Sequence, residues 1–266
     1  MFHCWRPKSP CPSKGLKLLD FPIEPDVNWR FEYKYRLAYD HYLRVRSFIL
    51  PYMKKDPFTD GPGGRRYIVR SLYFDTDKLD AFVEKLNGDQ DRVKLRIRSY
   101  QSKAEKDMLL RVEFKARKGM AMEKHSTWVS LDAYRQFMDT WHWPDRSDPV
   151  LSEFERYVHL KGMRPKVLVE YEREGYLSRI DGLVRTTFDH HVKSAEAEDI
   201  FPNQAFFRKY YPGMVVFEIK CDKRQPFWLR KLVQEQGLKL IANSKFAQGI
   251  ELSRSDVIRA TWSSEY

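Results

Sequence analysis

Cationic and aliphatic side chains alternate through the segment DRVKLRIRSY, residues 91–100. Because successive side chains of a β-strand point to opposite faces, Lys94, Arg96 and Arg98 share one face of the predicted strand. The aliphatic residues between them share the other face. Such a strand must bury one side and find partners for the charge on the other, so the chain must fold into a sheet with two chemically different sides.

At least four further segments repeat this division. Their charged faces carry Arg30, Glu32, Lys34 and Arg36; Arg111, Glu113, Lys115 and Arg117; Arg185, Thr187 and Asp189; and Glu218 and Lys220. For a single strand, the simplest interpretation is the solvated face of an open sheet. For five strands, like charges would face one another and repel unless an anion lay between them. Closing the sheet with its ionic face inward would give a cationic tunnel containing a few carboxylates.

We therefore predict an α+β fold: a closed antiparallel β-barrel (tunnel) of about eight strands with flanking helices. Strands are predicted at residues 30–37, 66–74, 92–100, 108–117, 122–130, 165–175, 183–189 and 214–221. Helices are predicted at residues 40–50, 76–88, 148–160 and 227–237. Asp40 and Asp148 are expected to be N-caps, and Gly88 a helix stop. Residues 1–29 are expected to form a loosely packed leader, residues 30–254 one domain, and residues 255–266 a tail.

The charge balance indicates a polyanionic partner. Lys and Arg number 48 against 37 Asp and Glu, a formal net charge of +11, and proteins this basic usually bind polyanions. The three cysteines indicate a reducing compartment and not a disulfide scaffold. We find no apolar run long enough for a signal peptide or a membrane span. We expect a cytoplasmic protein.

A phosphate chain suits the predicted tunnel better than a nucleic acid does. Arginine binds phosphate oxygens bidentately, lysine adds point charges, and a divalent metal would reconcile the carboxylates with an anionic ligand. A nucleic-acid surface would need aromatic side chains on the charged face for stacking. Here the aromatic residues fall largely on the opposite face. The sequence has no P-loop, dinucleotide or zinc motif.

Eight short motifs carry a resemblance to a known family. They are FEYKYRL, SLYFDT, KLRIRSY, VEFKARKG, VEYEREGY, VRTTFD, FEIKC and SKF, in this order. Over about residues 30–250, the chain resembles the catalytic domain of the vacuolar transporter chaperone family. That domain is a polyphosphate polymerase of the triphosphate tunnel metalloenzyme (CYTH-like) superfamily. The helical phosphate-sensing domain and membrane-spanning tail of eukaryotic members have no counterpart here, so we expect a stand-alone enzyme.

The resemblance implies roles for individual residues. Catalytic roles fall on Arg96, Arg98, Lys115, Arg173 and Arg185. Substrate-binding roles fall on Lys34, Lys124, Tyr171, Ser244 and Lys245, and the charged strand faces add Lys94 and Lys220. Glu218 resembles the family's metal-binding glutamate, with Mn²⁺ or Mg²⁺ as the expected cofactor. Tyr171 shares the side of Val167 and Val169, so a core position is the alternative for it.

The function expected from this resemblance is transfer of the γ-phosphate of ATP to a growing polyphosphate chain, with release of ADP. Expected partners are ATP and ADP, polyphosphate, and pyrophosphate or orthophosphate, but no nucleic acid; a membrane partner stays open. One alternative is a tunnel triphosphatase, whose first strand would favour Glu-x-Glu-x-Lys over the Glu32-x-Lys34-x-Arg36 found here. Another is a non-catalytic polyphosphate- or RNA-binding module, which would gain nothing from Glu218.

Overall fold

The computed structural model describes residues 31–60, 66–118, 121–180, 182–222 and 224–253. Within these ranges the chain is an α+β protein with ten strands and six helices. The strands are β1 (Phe31–Ala38), β2 (Met53–Lys55), β3 (Tyr67–Asp75), β4 (Arg92–Ser99), β5 (Leu109–Lys118), β6 (Ala121–Ser130), β7 (Arg164–Ser178), β8 (Val184–Glu196), β9 (Arg208–Lys209) and β10 (Met214–Cys221). The helices are α1 (Tyr39–Ile49), α2 (Asp80–Asn87), α3 (Leu131–Thr140), α4 (Pro149–Lys161), α5 (Phe227–Glu235) and α6 (Lys245–Ser253). The predicted leader and tail lie outside the described residues.

The main sheet is antiparallel and curved, with the strand order β1-β10-β8-β7-β3-β4-β5-β6. In the described part of the chain, β1 and β6 end this order and do not pair with each other. The prediction of a closed barrel is therefore wrong, and the sheet stays open at one seam. Barrel closure depends on matched tilt and stagger of all strands. Alternation within single strands does not encode that match.

The segment between α5 and α6 occupies the free edge of β1. The Ile241 N–H donates to the Lys34 carbonyl oxygen at 2.9 Å, and Tyr35 and Leu240 form an isolated β-bridge. Lys34 Nζ also donates to the Asn243 carbonyl oxygen at 3.0 Å. The segment thus takes up hydrogen-bonding groups through which a closed barrel would join β1 to β6.

The apolar strand faces pack outward against helices. The aliphatic residues of β4 are buried in a cluster with Phe137 of α3 and Phe154 of α4. At the other half of the sheet, Tyr42 of α1 and Leu229 of α5 belong to the cluster that contains Phe188. Burial of this area supplies most of the favourable free energy of folding. The two-sided character predicted for the strands is confirmed.

Each predicted strand and helix is present, but the caps are only partly as predicted. Asp148 accepts hydrogen bonds from two N–H groups of the first turn of α4, and Gly88 ends α2 with φ of 77°. Asp40 is not the N-cap of α1, because Ala38 takes that position. Strand β1 runs directly into the helix, which leaves Asp40 in the first turn, where it accepts a hydrogen bond from Arg44.

Helix α6 was not predicted, and neither were α3, β2 and β9. It packs against β7 and β8, on the side of the sheet that carries the charged residues. Gly249 permits this contact, because a Cβ at that position would lie 2.8 Å from Val167 Cγ2 and 3.2 Å from the Tyr210 hydroxyl. A glycine within the segment weakens its helix propensity. Tertiary packing compensates for that loss.

Candidate active site

The concave side of the sheet encloses a cavity of about 200 Å³. Nine cationic side chains line it: Lys34, Lys94, Arg96, Arg98, Lys115, Lys124, Arg173, Lys220 and Lys245. Three carboxylates, Glu32, Glu113 and Glu218, lie among them. The remaining wall is formed by Tyr73, Phe114, Tyr171, Ser244 and Phe246. Cations outnumber carboxylates in the cavity by three to one, a charge balance that favours anionic ligands.

Twelve of the thirteen residues predicted for the site line this cavity. The exception is Arg185, although its neighbour in the sheet, Lys220, is part of the wall. The Arg185 guanidinium lies 3.5 Å from a carboxylate oxygen of Asp56 and 3.4 Å from the Tyr67 hydroxyl. Arg185 therefore contacts Asp56 and Tyr67 and is not among the residues that line the cavity.

Glu113 fixes the arginine pair of β4. Its carboxylate accepts a hydrogen bond from Arg96 Nε at 2.7 Å and lies 3.7 Å from Arg98 and 3.3 Å from Lys124. Arg98 Nε also donates to the Ser71 hydroxyl at 3.1 Å. Burial raises the pKa of Glu113, but Arg96, Arg98 and Lys124 outweigh it and hold the pKa far below its usual range. Glu113 is therefore an ionised carboxylate that anchors these three cations.

Asp189 fixes a second group of cations. It is fully buried and accepts two hydrogen bonds from Arg173, at 2.7 and 2.9 Å. Lys245 Nζ lies 2.6 Å from the same carboxylate. Burial raises the pKa of Asp189, and the two cations lower it by more, so the carboxyl stays ionised. The sequence showed Asp189 on a charged face but gave no sign that it positions Arg173 and Lys245.

Glu218 is the carboxylate best placed to bind a metal. It lies opposite Lys34 in the β1–β10 ladder, and its Oε1 is 3.3 Å from Lys220 Nζ. Glu32 lies diagonal to it on β1, a spacing across which long side chains still interact. Burial raises the pKa of Glu218, but the surrounding cations, with Lys220 first, hold it well below its usual range. Two charged oxygen donors on adjacent strands suit a hard divalent cation.

Three lysines form a row across neighbouring strands. Lys94 of β4 faces Lys115 of β5, which in turn faces Lys124 of β6. Like charges in directly opposed positions destabilise a sheet. Lys94 Nζ also lies 5.4 Å from the ring centre of Phe246. The row indicates a position for a bound anion.

Aromatic side chains complete the wall near α6. Tyr73 contacts Phe246 with ring centroids 5.4 Å apart and a tilt of 36° between the rings, and it accepts a hydrogen bond from Arg96 at 3.2 Å. Burial raises the pKa of Tyr73, but the nearby charges of Arg96 and Arg98 bring it below the normal value. Tyr171 shares a strand face with Val167 and Val169. Gly249 of α6 packs against the two valines, and Tyr171, further along the strand, lines the cavity.

Five lining residues were not among the predicted site residues: Glu32, Tyr73, Glu113, Phe114 and Phe246. Glu32 and Glu113 could be seen on charged strand faces, and Tyr73 alternates with Ser71 on β3. Phe246 gave no such signal, because it belongs to the helix that the sequence did not predict. Its position depends on the packing of α6.

A curved antiparallel sheet with a cationic cavity on its concave side defines a tunnel-type domain. The family model of the VTC domain matches residues 29–254, and the chain belongs to that family. No curated protein matches. In the described residues, no helix is both long and apolar enough to span a membrane.

Several solved structures are similar to this chain at low sequence identity. A "putative adenylate cyclase" from Bacillus halodurans is 12% identical, with a TM-score of 0.51, over 80% of this chain and 92% of that chain. A protein of the same description from Vibrio parahaemolyticus is 13% identical, with a TM-score of 0.42, over 81% and 94%. The Mimivirus capping enzyme triphosphatase is 11% identical, with a TM-score of 0.29, over 77% and 86%. At 12% identity, the likeness to the Bacillus protein shows the fold alone.

Proposed function

We propose that this chain is an ATP-dependent polyphosphate polymerase, which transfers the γ-phosphate of ATP to the end of a polyphosphate chain and releases ADP. The supporting observation is the cavity wall, with nine cations against three carboxylates in a domain of the VTC family. The cavity volume of about 200 Å³ is below the roughly 300–1,000 Å³ of common small-molecule pockets. A narrow, highly charged ligand such as a phosphate chain suits it.

The transfer requires positioning and charge neutralisation, and no general base. A terminal oxygen of the polyphosphate chain, already anionic near neutral pH, attacks the γ-phosphorus in line. The bond from the γ-phosphorus to the β–γ bridging oxygen breaks, and that oxygen keeps the electron pair in ADP. Arg96 and Arg98, held by Glu113, and Arg173, held by Asp189, would stabilise the charge on the transferring group. Because these cations are already fixed, little reorganisation accompanies the reaction.

A divalent metal, Mn²⁺ or Mg²⁺, fits the donor set at the β1–β10 side of the cavity. Glu218 would hold it, with Glu32 in reach as a second oxygen donor. Both are hard ligands, and Glu218 is kept ionised by its cationic neighbours. When bound, the metal supplies additional neutralisation of phosphate oxygens.

The distribution of carboxylates supports a polymerase over a triphosphatase. A hydrolase has to orient and activate a water molecule, which calls for acidic groups free to bind metal or water. Glu113 and Asp189 are instead engaged by arginine and lysine. Among the described residues, the cavity contains no cluster of three carboxylate or imidazole ligands.

Incubation of the pure protein with ATP and Mn²⁺ or Mg²⁺ tests the proposal. We expect ADP and long polyphosphate, resolved by gel electrophoresis, with little free phosphate. Arg98→Ala should eliminate the polymer, because loss of a charge-assisted phosphate contact costs on the order of 1.5–3 kcal/mol and more in the transition state. Arg156→Ala, at an exposed position of α4, is the matched control. Free phosphate without polymer would indicate a triphosphatase, and polyphosphate binding without turnover would indicate a binding module; either result would refute the proposal.

Binding of a phosphate chain should be coupled to proton uptake at Lys94. Burial and the neighbouring charges of Arg92 and Lys115 lower the pKa of Lys94 to about 7, so most of this amine is neutral at pH 8 in the empty cavity. A bound anion favours the charged form of Lys94. We therefore expect the protein to take up about one proton for each tripolyphosphate that binds. Calorimetry with tripolyphosphate at pH 8, in buffers of different ionisation enthalpy, measures it.

The variant Lys94→Met serves as the control for this measurement. Methionine cannot be protonated, so the proton uptake that depends on Lys94 should disappear. Any change in the protonation of tripolyphosphate itself should remain. Equal uptake by the wild type and Lys94→Met would show that Lys94 is already charged before the ligand binds.

A further inference from the structure

Three possible metal ligands meet outside the cavity, where the turn after α3 approaches α4. His142 lies in this turn, and Glu155 and His159 are one helical turn apart on α4, so they share a helix face. One ligand atom from each residue lies within 4.8 Å of the other two. The rings of His142 and His159 are stacked with centroids 4.9 Å apart. None of these residues takes part in the proposed phosphate transfer.

We propose that His142, Glu155 and His159 bind a divalent transition-metal ion of the Zn²⁺ class. Two imidazoles and one carboxylate form a donor set typical of zinc, with a fourth position left for water. Imidazole ligands favour such ions over Mg²⁺ and Ca²⁺, which prefer oxygen donors. The site would thus differ in metal class from the oxygen donors of the cavity.

Hydrogen bonds hold the three side chains next to one another. His159 Nε2 donates to the Trp141 carbonyl oxygen at 2.9 Å, so Nδ1 is the ring nitrogen that would bind a metal ion. Metal-binding histidines usually make such a hydrogen bond through their second nitrogen. The Trp143 N–H donates to Glu155 Oε2 at 2.8 Å, and Oε1 lies 2.7 Å from His142 Nδ1.

The turn that carries His142 is held in place by the core. Trp143 is buried and stacks on Phe137 with ring centroids 4.0 Å apart. The Trp141 N–H donates to the Phe137 carbonyl oxygen at 2.7 Å. His142, between these two anchored tryptophans, cannot move far from α4. A ligand set held in advance loses less entropy when the ion binds, and a bound ion would join the turn to α4.

Zinc titration of tag-free, metal-stripped protein tests the site without ATP. The Glu218→Gln background removes the proposed metal ligand of the cavity, so only the outer site should be counted. We expect one Zn²⁺ per chain, with binding weakened at least about tenfold by His142→Ala or His159→Ala. Zn²⁺ should also raise the thermal midpoint of the parent but not of these variants. The His142 side chain is 50% exposed, so the change at that position should not impair folding.

His41→Ala, on α1, is the matched control and should bind Zn²⁺ as the parent does. Polymer synthesis by His142→Ala in the otherwise unchanged chain should equal that of the wild type, which separates this site from the cavity. The absence of saturable binding would overturn the proposal. Equal Zn²⁺ affinity in the parent, His142→Ala and His159→Ala would overturn it as well.

Discussion

Replacing Glu218 by glutamine is expected to abolish polymer synthesis while polyphosphate still binds. Glutamine keeps the size of the side chain and removes the charge that a hard divalent cation requires. The cations around it, Lys34, Lys220 and Lys245, stay in place, and a carboxylate that repels phosphate is gone. We expect the synthesis rate to fall on the order of 10²–10³-fold, measured with ATP and Mn²⁺ beside a polyphosphate-binding assay.

Glu251→Gln is the matched control for this change, because Glu251 is an exposed carboxylate on α6. It should synthesise polymer at the wild-type rate. A Glu218→Gln variant that keeps both the wild-type rate and its metal dependence would contradict the metal-binding role. A variant that mainly loses thermal stability would show that Glu218 is a structural partner of the cations.

Asp189→Asn should cause the largest loss of stability among single changes in this region. The carboxylate is fully buried and contacts both Arg173 and Lys245. Asparagine leaves these two buried cations without their anion, and breaking a buried ion pair typically costs about 3–5 kcal/mol. Chemical denaturation at neutral pH measures the free energy of unfolding. The change should also displace Arg173 and reduce polymer synthesis.

Glu153→Gln gives the comparison for an exposed pair. Glu153 lies 2.7 Å from Arg156, and its side chain is 34% exposed, so we expect a loss of about 0–1 kcal/mol. The pKa of Asp189 is lowered, so its contribution is complete at neutral pH. The contribution of Asp189 to the free energy of unfolding decreases as the pH falls below about 3.9, the ordinary pKa of aspartate, towards the lowered pKa in the folded protein. Equal losses for the two variants would contradict the role assigned to Asp189.

The sequence predicted strand faces well because their chemistry is local. On β4, the cations line the cavity and the aliphatic residues are buried, as alternation required. Alternation predicts which face of a strand a residue is on. It does not predict whether the residue lies at the level of the cavity or beyond its end. Arg185 has the expected strand, yet it contacts Asp56, which follows the unpredicted strand β2. A contact with such a distant part of the chain leaves no trace in the local pattern.

The different roles of the carboxylates could not be predicted from the local sequence pattern either. Glu113, Asp189 and Glu218 looked alike as acids within cationic rows. Their difference comes from long-range contacts: Arg96 and Lys124 surround Glu113, and Asp189 is shared with α6, a helix that the sequence did not predict. The prediction of a closed barrel was wrong for a related reason. The free edge of β1 contacts the segment between α5 and α6, about two hundred residues later in the chain, and does not pair with β6.

Helix α6 follows every strand of the sheet in the chain, so the cavity is completed after the sheet has been synthesised. Lys34 and Asn243, which are hydrogen-bonded, are 209 positions apart, and Lys245 leaves the ribosome after every strand of the sheet. Until then, the concave face exposes Val167 and Val169, the apolar residues against which Gly249 packs. Transiently exposed apolar surface is prone to aggregation and is recognised by chaperones. The cavity is therefore completed only once α6 has been made, and the same helix covers Val167 and Val169.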